Sequence, residues 1–261
     1  MQEQELVARL RAAGCVFAEE EAGLLAEAAG TDVGVLDELV ARRVAGEPLE
    51  HLLGWVAFAG LRVPVGPGVF VPRRRSELLV AEALALAPRA DAVVVELCCG
   101  AAAVAAAVLA RLPGAQVHAA DVDPVAAGYA RRTLAGRGAV HVGDLFAALP
   151  PVLAGRVDLL LVNAPYVPTD AIATMPPEAR LHEPRVALDG GVDGLDLHRR
   201  VAAGARGWLA PGGALLVETS RSQAERTAGL CAAAGLHPRV ARDEGLDATV
   251  VVAVSRASSP R

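Results

Sequence analysis

Val157-Asp158-Leu159-Leu160-Leu161-Val162-Asn163-Ala164-Pro165-Tyr166 is the stretch on which the reading of this chain turns. Its apolar, partly β-branched run is of a length and content that predict a buried strand. The run then ends abruptly in an amide, a rigid turn and an aromatic ring. In open α/β sheets, ligands sit just beyond the carboxyl ends of the strands. Asn163 brings one side-chain acceptor and two donors. Pro165 lacks an N–H and biases Ala164 towards extended backbone, which leaves the Ala164 carbonyl free to point outward. Tyr166 adds a flat ring and a hydroxyl. Such a set can grip a planar amide or amino group: two acceptors take its N–H bonds and the ring lies on its plane. Asn163 is the only asparagine in the chain, and there is no lysine at all.

The 261 residues allow one large domain or two unequal ones. At 53% hydrophobic, the chain has ample material for a core. A formal charge of −5 gives no global electrostatic case for nucleic acid. All 25 basic residues are arginine, a compositional bias before it is a functional one. Cys15, Cys98, Cys99 and Cys231 form no zinc-type spacing, so no metal is expected. Reduced thiols in a cytoplasm fit them. The Glu- and Gln-rich start has no apolar signal core, and the longest apolar stretch, 101–110, is too short to span a bilayer.

Working outward, residues 2–46 carry helical periodicity, punctuated by Gly14, Gly30 and Gly46. Cys15 and His51 there read as structural. From Gly54 to Val71 the pattern changes to a hairpin. It runs into Pro72-Arg73-Arg74-Arg75-Ser76-Glu77, where Arg74 and Arg75 read as a solvated helix start and Ser76 and Glu77 as caps of the next helix. A buried strand over 92–97 leads through Cys98-Cys99-Gly100-Ala101-Ala102 into an alanine-rich helix. Small residues there let a ligand approach the backbone, and the helix N-terminus favours anionic groups. The next strand ends at Asp121, where a ribose-binding acid is expected, and Asp123-Pro124 opens a helix. A third strand precedes Gly143-Asp144-Leu145. After Tyr166 a proline-rich segment reads as a substrate-side lid, followed by Pro211-Gly212-Gly213 and a strand over 214–218. Strands alternating with helices predict a mostly parallel sheet with helices on both faces.

In this order the motifs resemble those of the HemK-like protein N5-glutamine methyltransferases, a family of class I S-adenosylmethionine-dependent methyltransferases that modify release factors. Val69-Phe70-Val71-Pro72-Arg73 with Glu77 resembles the family's linker motif. Glu96 to Ala102 occupies the place of its glycine-rich loop, and Asn163 to Tyr166 resembles its Asn-Pro-Pro-Tyr motif. Glu183-Pro184, Ala187-Leu188, Gly191 and Asp193-Gly194-Leu195 resemble its downstream signature, and Glu218 with Gln223 a late strand-helix motif. No single motif decides the family; their order does.

The resemblance implies an α/β fold: a Rossmann-like class I methyltransferase sheet with helices on both faces. It divides the chain into a helical N-terminal domain over 1–53, a β-hairpin linker over 54–75 and the methyltransferase domain over 76–261. It implies S-adenosylmethionine as cofactor, held by Glu96, Cys98, Gly100, Ala102, Asp121, Asp144, Leu145 and Asn163. It implies a protein substrate, a peptide chain release factor, and no membrane. The catalytic group would be Asn163, Ala164, Pro165 and Tyr166, with Arg73, Glu183, Asn163 and Tyr166 on the substrate and the stretch from Met175 to Arg185 beside it.

The chain departs from that pattern in its loop. Glu96 stands for an aspartate, and Cys98 and Ala102 stand for two of three alternating glycines. A side chain at a position of positive φ costs on the order of 1–2 kcal/mol, so either the loop is reshaped or its grip weakens. Vicinal Cys98-Cys99 could suggest metal or redox chemistry, against which stands small-residue packing with no third ligand in view. Ala164 replaces a proline where only a carbonyl is needed. Three other readings compete. One is methylation of a nucleic-acid amino group, which offers the same flat amine but is opposed by the acidic balance. The others are methylation of a small molecule and a non-catalytic protein with a degenerate loop. A nicotinamide dehydrogenase is disfavoured, because the dinucleotide glycine pattern is missing.

Overall fold

The computed structural model describes residues 3–87 and 89–256. Helices α1 (Glu3–Ala12), α2 (Ala18–Ala29) and α3 (Val33–Val44) bury Leu6, Leu10, Leu25, Leu39 and Val40 in a small core of their own. Asp32 caps α3 by accepting from the backbone of Gly34 and Val35, at 2.9 and 3.1 Å. A short further helix, α4 (Leu49–Leu53), lies beyond the periodic region read from sequence and ends in left-handed Gly54. It buries His51, whose Nε2 lies 3.1 Å from the Val69 carbonyl.

Strands β1 (Trp55–Phe58) and β2 (Leu61–Pro64) form the antiparallel hairpin, turned by Ala59 and Gly60 at φ 49° and 80°. Positive φ at both central residues gives the twist that suits a two-residue hairpin. The turn is pinned to the helices packed beside it. Ala59 N donates to Glu77 Oε1 at 3.2 Å, and Arg111 donates to the Ala59 carbonyl at 3.0 Å. Glu77 therefore secures the hairpin instead of capping its helix, α5 (Glu77–Leu86). Ser76 makes no side-chain cap either.

The rest alternates: β3 (Val93–Leu97), α6 (Ala103–Arg111), β4 (Gln116–Asp121), α7 (Pro124–Leu134), β5 (Gly138–Val142), β6 (Val157–Val162), α8 (Pro177–His182), α9 (Asp196–Trp208), β7 (Leu209–Glu218), α10 (Ala224–Ala233), β8 (His237–Asp243) and β9 (Ala248–Val254). The seven strands lie in the order β5-β4-β3-β6-β7-β9-β8. The first five are parallel; β9 runs antiparallel to both β7 and β8. Strands β3 and β6 are buried on both faces, as their near-continuous apolar runs require. Val94, Leu159 and Leu161 pack into one core layer, and Val95, Leu160 and Val162 into the other. Each such side chain contributes about 1.5–3 kcal/mol by burial. Asp158 interrupts the apolar run without cost, because its carboxylate accepts from Val93 N at 2.8 Å and Arg89 at 2.9 Å.

Strand β7 begins five residues before the expected start. Val157 pairs with Leu209 and Leu159 with Ala214, so the intervening Pro211-Gly212-Gly213 bulges out of the ladder. A Cβ on Gly213 would stand 2.5 Å from the Val157 carbonyl, so the bulge needs glycine there. Chain order reverses between β3 and β6, and the crevice lies beyond their carboxyl ends.

Candidate active site

The crevice has a volume of about 350 Å³. One wall is the loop between β3 and α6. Cys98, Gly100 and Ala102 all hold left-handed backbone there, at φ 53°, 52° and 57°. The loop has kept a glycine-like path with side chains on two of the three positions. Its hydrogen bonds explain how: Cys99 N donates to the Ala120 carbonyl at 3.1 Å, Gly100 N to Asp121 Oδ2 at 2.8 Å, and Ala102 N to the Cys99 carbonyl at 2.7 Å. At the strand end Glu96 is fully buried and accepts from Ala105 N, one of the free donors at the start of α6, at 2.8 Å. Burial pushes its carboxyl up to about 8.

Asp121 is fixed from two sides. Its second oxygen accepts from Asp123 N at 2.9 Å, and the residue lines the crevice. Burial raises its pKa, against the pull of those backbone donors. Asp123 caps α7 by accepting from Val125 N at 2.8 Å. Beyond β5, Leu145 is buried yet left-handed at φ 46°. Asp144 beside it is exposed and paired with Arg200 at 2.6 Å, a partner 56 positions away that no local pattern signals.

Beyond β6, Asn163 is half-buried and donates through Nδ2 to Ser76 Oγ at 3.3 Å. Ala164 and Pro165 are buried, and Tyr166 is half-buried against the crevice. The glycine-rich segment after α8 braces this turn. A Cβ on Gly190 would stand 2.8 Å from the Pro165 carbonyl, and one on Gly194 2.3 Å from that of Tyr166. Gln223 also donates to the Tyr166 carbonyl, at 2.9 Å.

The third wall comes from the segment between hairpin and α5. Glu183 is buried; one oxygen accepts from Val71 N at 3.1 Å and from Arg73 at 2.6 Å. Burial raises its pKa and Arg73 opposes that. Arg73 also lies over the Phe70 ring, 5.0 Å from its centre. Of the stretch from Met175 to Arg185, Met175, Glu183 and Pro184 line the crevice. Arg74 is exposed, as expected of a solvated helix start, but Arg75 is not solvated in that sense. Its Nε lies 3.4 Å from Glu218 Oε1, and the side chain lines the crevice. A run of three arginines hides that Arg73 and Arg75 have buried partners and that Arg74 does not line the crevice.

The crevice thus brings together the residues assigned to a site from sequence, with Ala102 set just behind its wall, fully buried. Ser76 and Arg75, read from sequence as parts of a helix start, and Arg200, which that reading passed over, line the crevice as well. Among the described residues no group of three His, Cys, Asp or Glu side chains is arranged to hold a metal ion. Burial pushes the Cys98 thiol up to about 12 and Cys99 higher than usual as well, so both pack as thiols. No helix among the described residues is long and apolar enough to cross a membrane.

The methyltransferase small domain family matches residues 61–246. The release factor glutamine methyltransferase of Geobacter sulfurreducens is 42% identical over 200 residues, covering 76% of this chain and 69% of that protein. That of Mycolicibacterium smegmatis is 40% identical over 237 residues, 84% of each chain. The chain belongs to the release factor glutamine methyltransferase family. The sheet is that of a Rossmann-like methyltransferase fold. The crystal structure of a methyltransferase from Pyrococcus furiosus superposes with a TM-score of 0.53 at 15% identity, over 83% of this chain and 97% of that one.

Proposed function

We propose that this protein transfers a methyl group from S-adenosylmethionine to the side-chain amide nitrogen of a glutamine in a protein, a peptide chain release factor. The observation that carries this is Asn163: the sole asparagine stands at the end of the central strand with its Nδ2 committed to Ser76, which turns its Oδ1 to the crevice.

The residues present fit the cofactor. Asp121, its two oxygens already aligned by Gly100 N and Asp123 N, offers its remaining lone pairs to a pair of hydroxyls. The left-handed loop at Cys98 to Ala102 lets a ligand approach the backbone, and Asp144 and Leu145, which line the same crevice, would hold a flat ring with a hydrogen-bonding edge. S-adenosylmethionine, when bound, supplies a methyl group on a positively charged sulfur.

An amide nitrogen is a poor nucleophile because its lone pair is delocalised into the carbonyl. Asn163 Oδ1 and the Ala164 carbonyl accept its two N–H bonds. That fixes its direction and holds the positive charge that builds on nitrogen. The Tyr166 ring stacks on the amide plane, and Pro165 keeps the turn rigid. Arg73 and Glu183 lie on the peptide side. The methylated nitrogen then releases one proton, which restores the neutral amide.

The test is methylation of a Gly-Gly-Gln peptide and of whole release factor, read by mass spectrometry. A gain of one methyl on the glutamine supports the proposal. Transfer to a nucleic acid or a metabolite, with none to any release factor, overturns it.

A further inference from the structure

Behind Asn163 lies a polar chain that takes no direct part in methyl transfer. Ser76 is 2% exposed and Glu218 1%, deep for a hydroxyl and a carboxyl. Asn163 Nδ2 donates to Ser76 Oγ, so the hydroxyl's own hydrogen is left to give elsewhere. Glu218 is the group beside it. Neither Glu218 oxygen completes a well-aligned hydrogen bond, and a buried carboxylate without partners is costly. Burial raises its pKa, and Ser76 and Arg75 oppose that by favouring the ionised form. Arg75 Nε lies 3.4 Å from Oε1 as an ion pair without hydrogen-bond alignment.

We infer that Ser76 and Glu218 are positioning residues that set which end of the Asn163 amide faces the substrate. The direction comes from what each group can do. Paired with Arg75, the Glu218 carboxylate only accepts, so the free Ser76 hydrogen is the one turned towards it. Ser76 can then only accept from Asn163, which fixes Nδ2 inward and Oδ1 outward. Amide oxygen and nitrogen are nearly isosteric, so only such a chain tells the two orientations apart. Ser76 also forgoes the capping bond its place at the start of α5 would allow. The inference rests on the proposed role of Asn163 as an acceptor for a substrate amide.

Because the chain has one asparagine, ¹⁵N-asparagine labelling of the full-length protein gives a single side-chain NH₂ pair by NMR, that of Asn163. Ser76→Ala is expected to shift that pair and speed its exchange with water. It should lower kcat roughly ten- to a hundredfold while the Kd for S-adenosylhomocysteine stays within about twofold. Ser76→Thr keeps the hydroxyl and recovers most of that loss. Glu218→Gln is the second variant and keeps the volume. Arg75 attracts its carbonyl end, so its NH₂ faces Ser76 and the chain runs backwards, with the same two signatures. An Asn163 pair and a kcat unchanged in both Ser76→Ala and Glu218→Gln overturn the inference. Should the wild-type protein transfer nothing to the glutamine peptide, the proposed function fails, and the NH₂ pair alone still decides whether the chain orients Asn163.

Discussion

Cys98 and Ala102 share one left-handed conformation, φ 53° and 57°, on either side of Gly100 at 52°. For an L-residue this region costs about 1–2 kcal/mol. Glycine at either position relieves that strain but adds backbone freedom to the unfolded chain, and at Ala102 it gives up a fully buried methyl. Cys98→Gly and Ala102→Gly are therefore expected to stay within about 1 kcal/mol of the parent. A β-branched side chain cannot adopt this backbone without strain. Ala102→Val should cost more than about 2 kcal/mol. Thermal unfolding of the three variants checks the contrast; a Val variant as stable as the Gly variant would show that the loop does not hold this path.

Asn163→Ala removes the acceptor and spares the loop, Asp121 and Leu145. We expect kcat for methyl transfer to fall about a hundredfold or more, with the Kd for S-adenosylhomocysteine within a few fold. Calorimetry and single-turnover assays separate the two. Loss of both together would mean that Asn163 supports the fold of the crevice.

Glu96 gives the structure a pH signature. Its carboxyl is pushed from an ordinary 4.5 up to about 8 by burial. Between these values the unfolded chain has released a proton that the folded chain keeps, so stability contributed at low pH is lost as pH rises. Glu96→Gln keeps an acceptor for Ala105 N and removes the titration. The Tm difference, variant minus parent, should grow from pH 5 to pH 8 and then level off. A difference independent of pH would mean that Glu96 is ionised in the fold.

Arg43 ties the helical N-terminus to the segment beyond β6. It donates to Glu21 at 2.7 Å and to the Glu47 carbonyl at 3.0 Å, and lies 3.6 Å from Glu178 in α8. Arginine and Glu21 side chains are both 11% exposed. Arg43→Ala strands the Glu21 carboxylate and should cost about 3 kcal/mol. Arg43→Lys loses the forked geometry and should recover only part of that. Denaturant unfolding at matched m-value is the measurement.

How far the sequence carried can be seen residue by residue. The run over 157–162 was legible because a strand buried on both faces must be apolar throughout, and Asn163 because a polar residue at its end had no apolar reason to be there. Asp121 was legible from its place one strand after the loop. Arg75 was not, because its neighbours Arg73 and Arg74 carry the same charge and only the fold says which of them meets Glu218. Ser76 looked like a cap because serine before a helix usually is one; its true partner lies 87 positions away. The early start of β7 was hidden by Pro211-Gly212-Gly213, which signals a turn and forms a bulge. The left-handed backbone of Leu145 leaves no mark in a residue that rarely adopts it.

Glu183 meets Val71 across 112 positions. A ribosome adds about 5–20 residues per second, so roughly 6–22 s pass between the synthesis of the two. The helices α1 to α3 and the hairpin close through local contacts and can form in that interval. The wall made by Val71, Arg73 and Ser76 cannot, since the side chains that complete it have not yet been made. The contacts of Val71 with Glu183 and of Arg75 with Glu218 therefore form late in synthesis, and the crevice is completed from the carboxyl-terminal half.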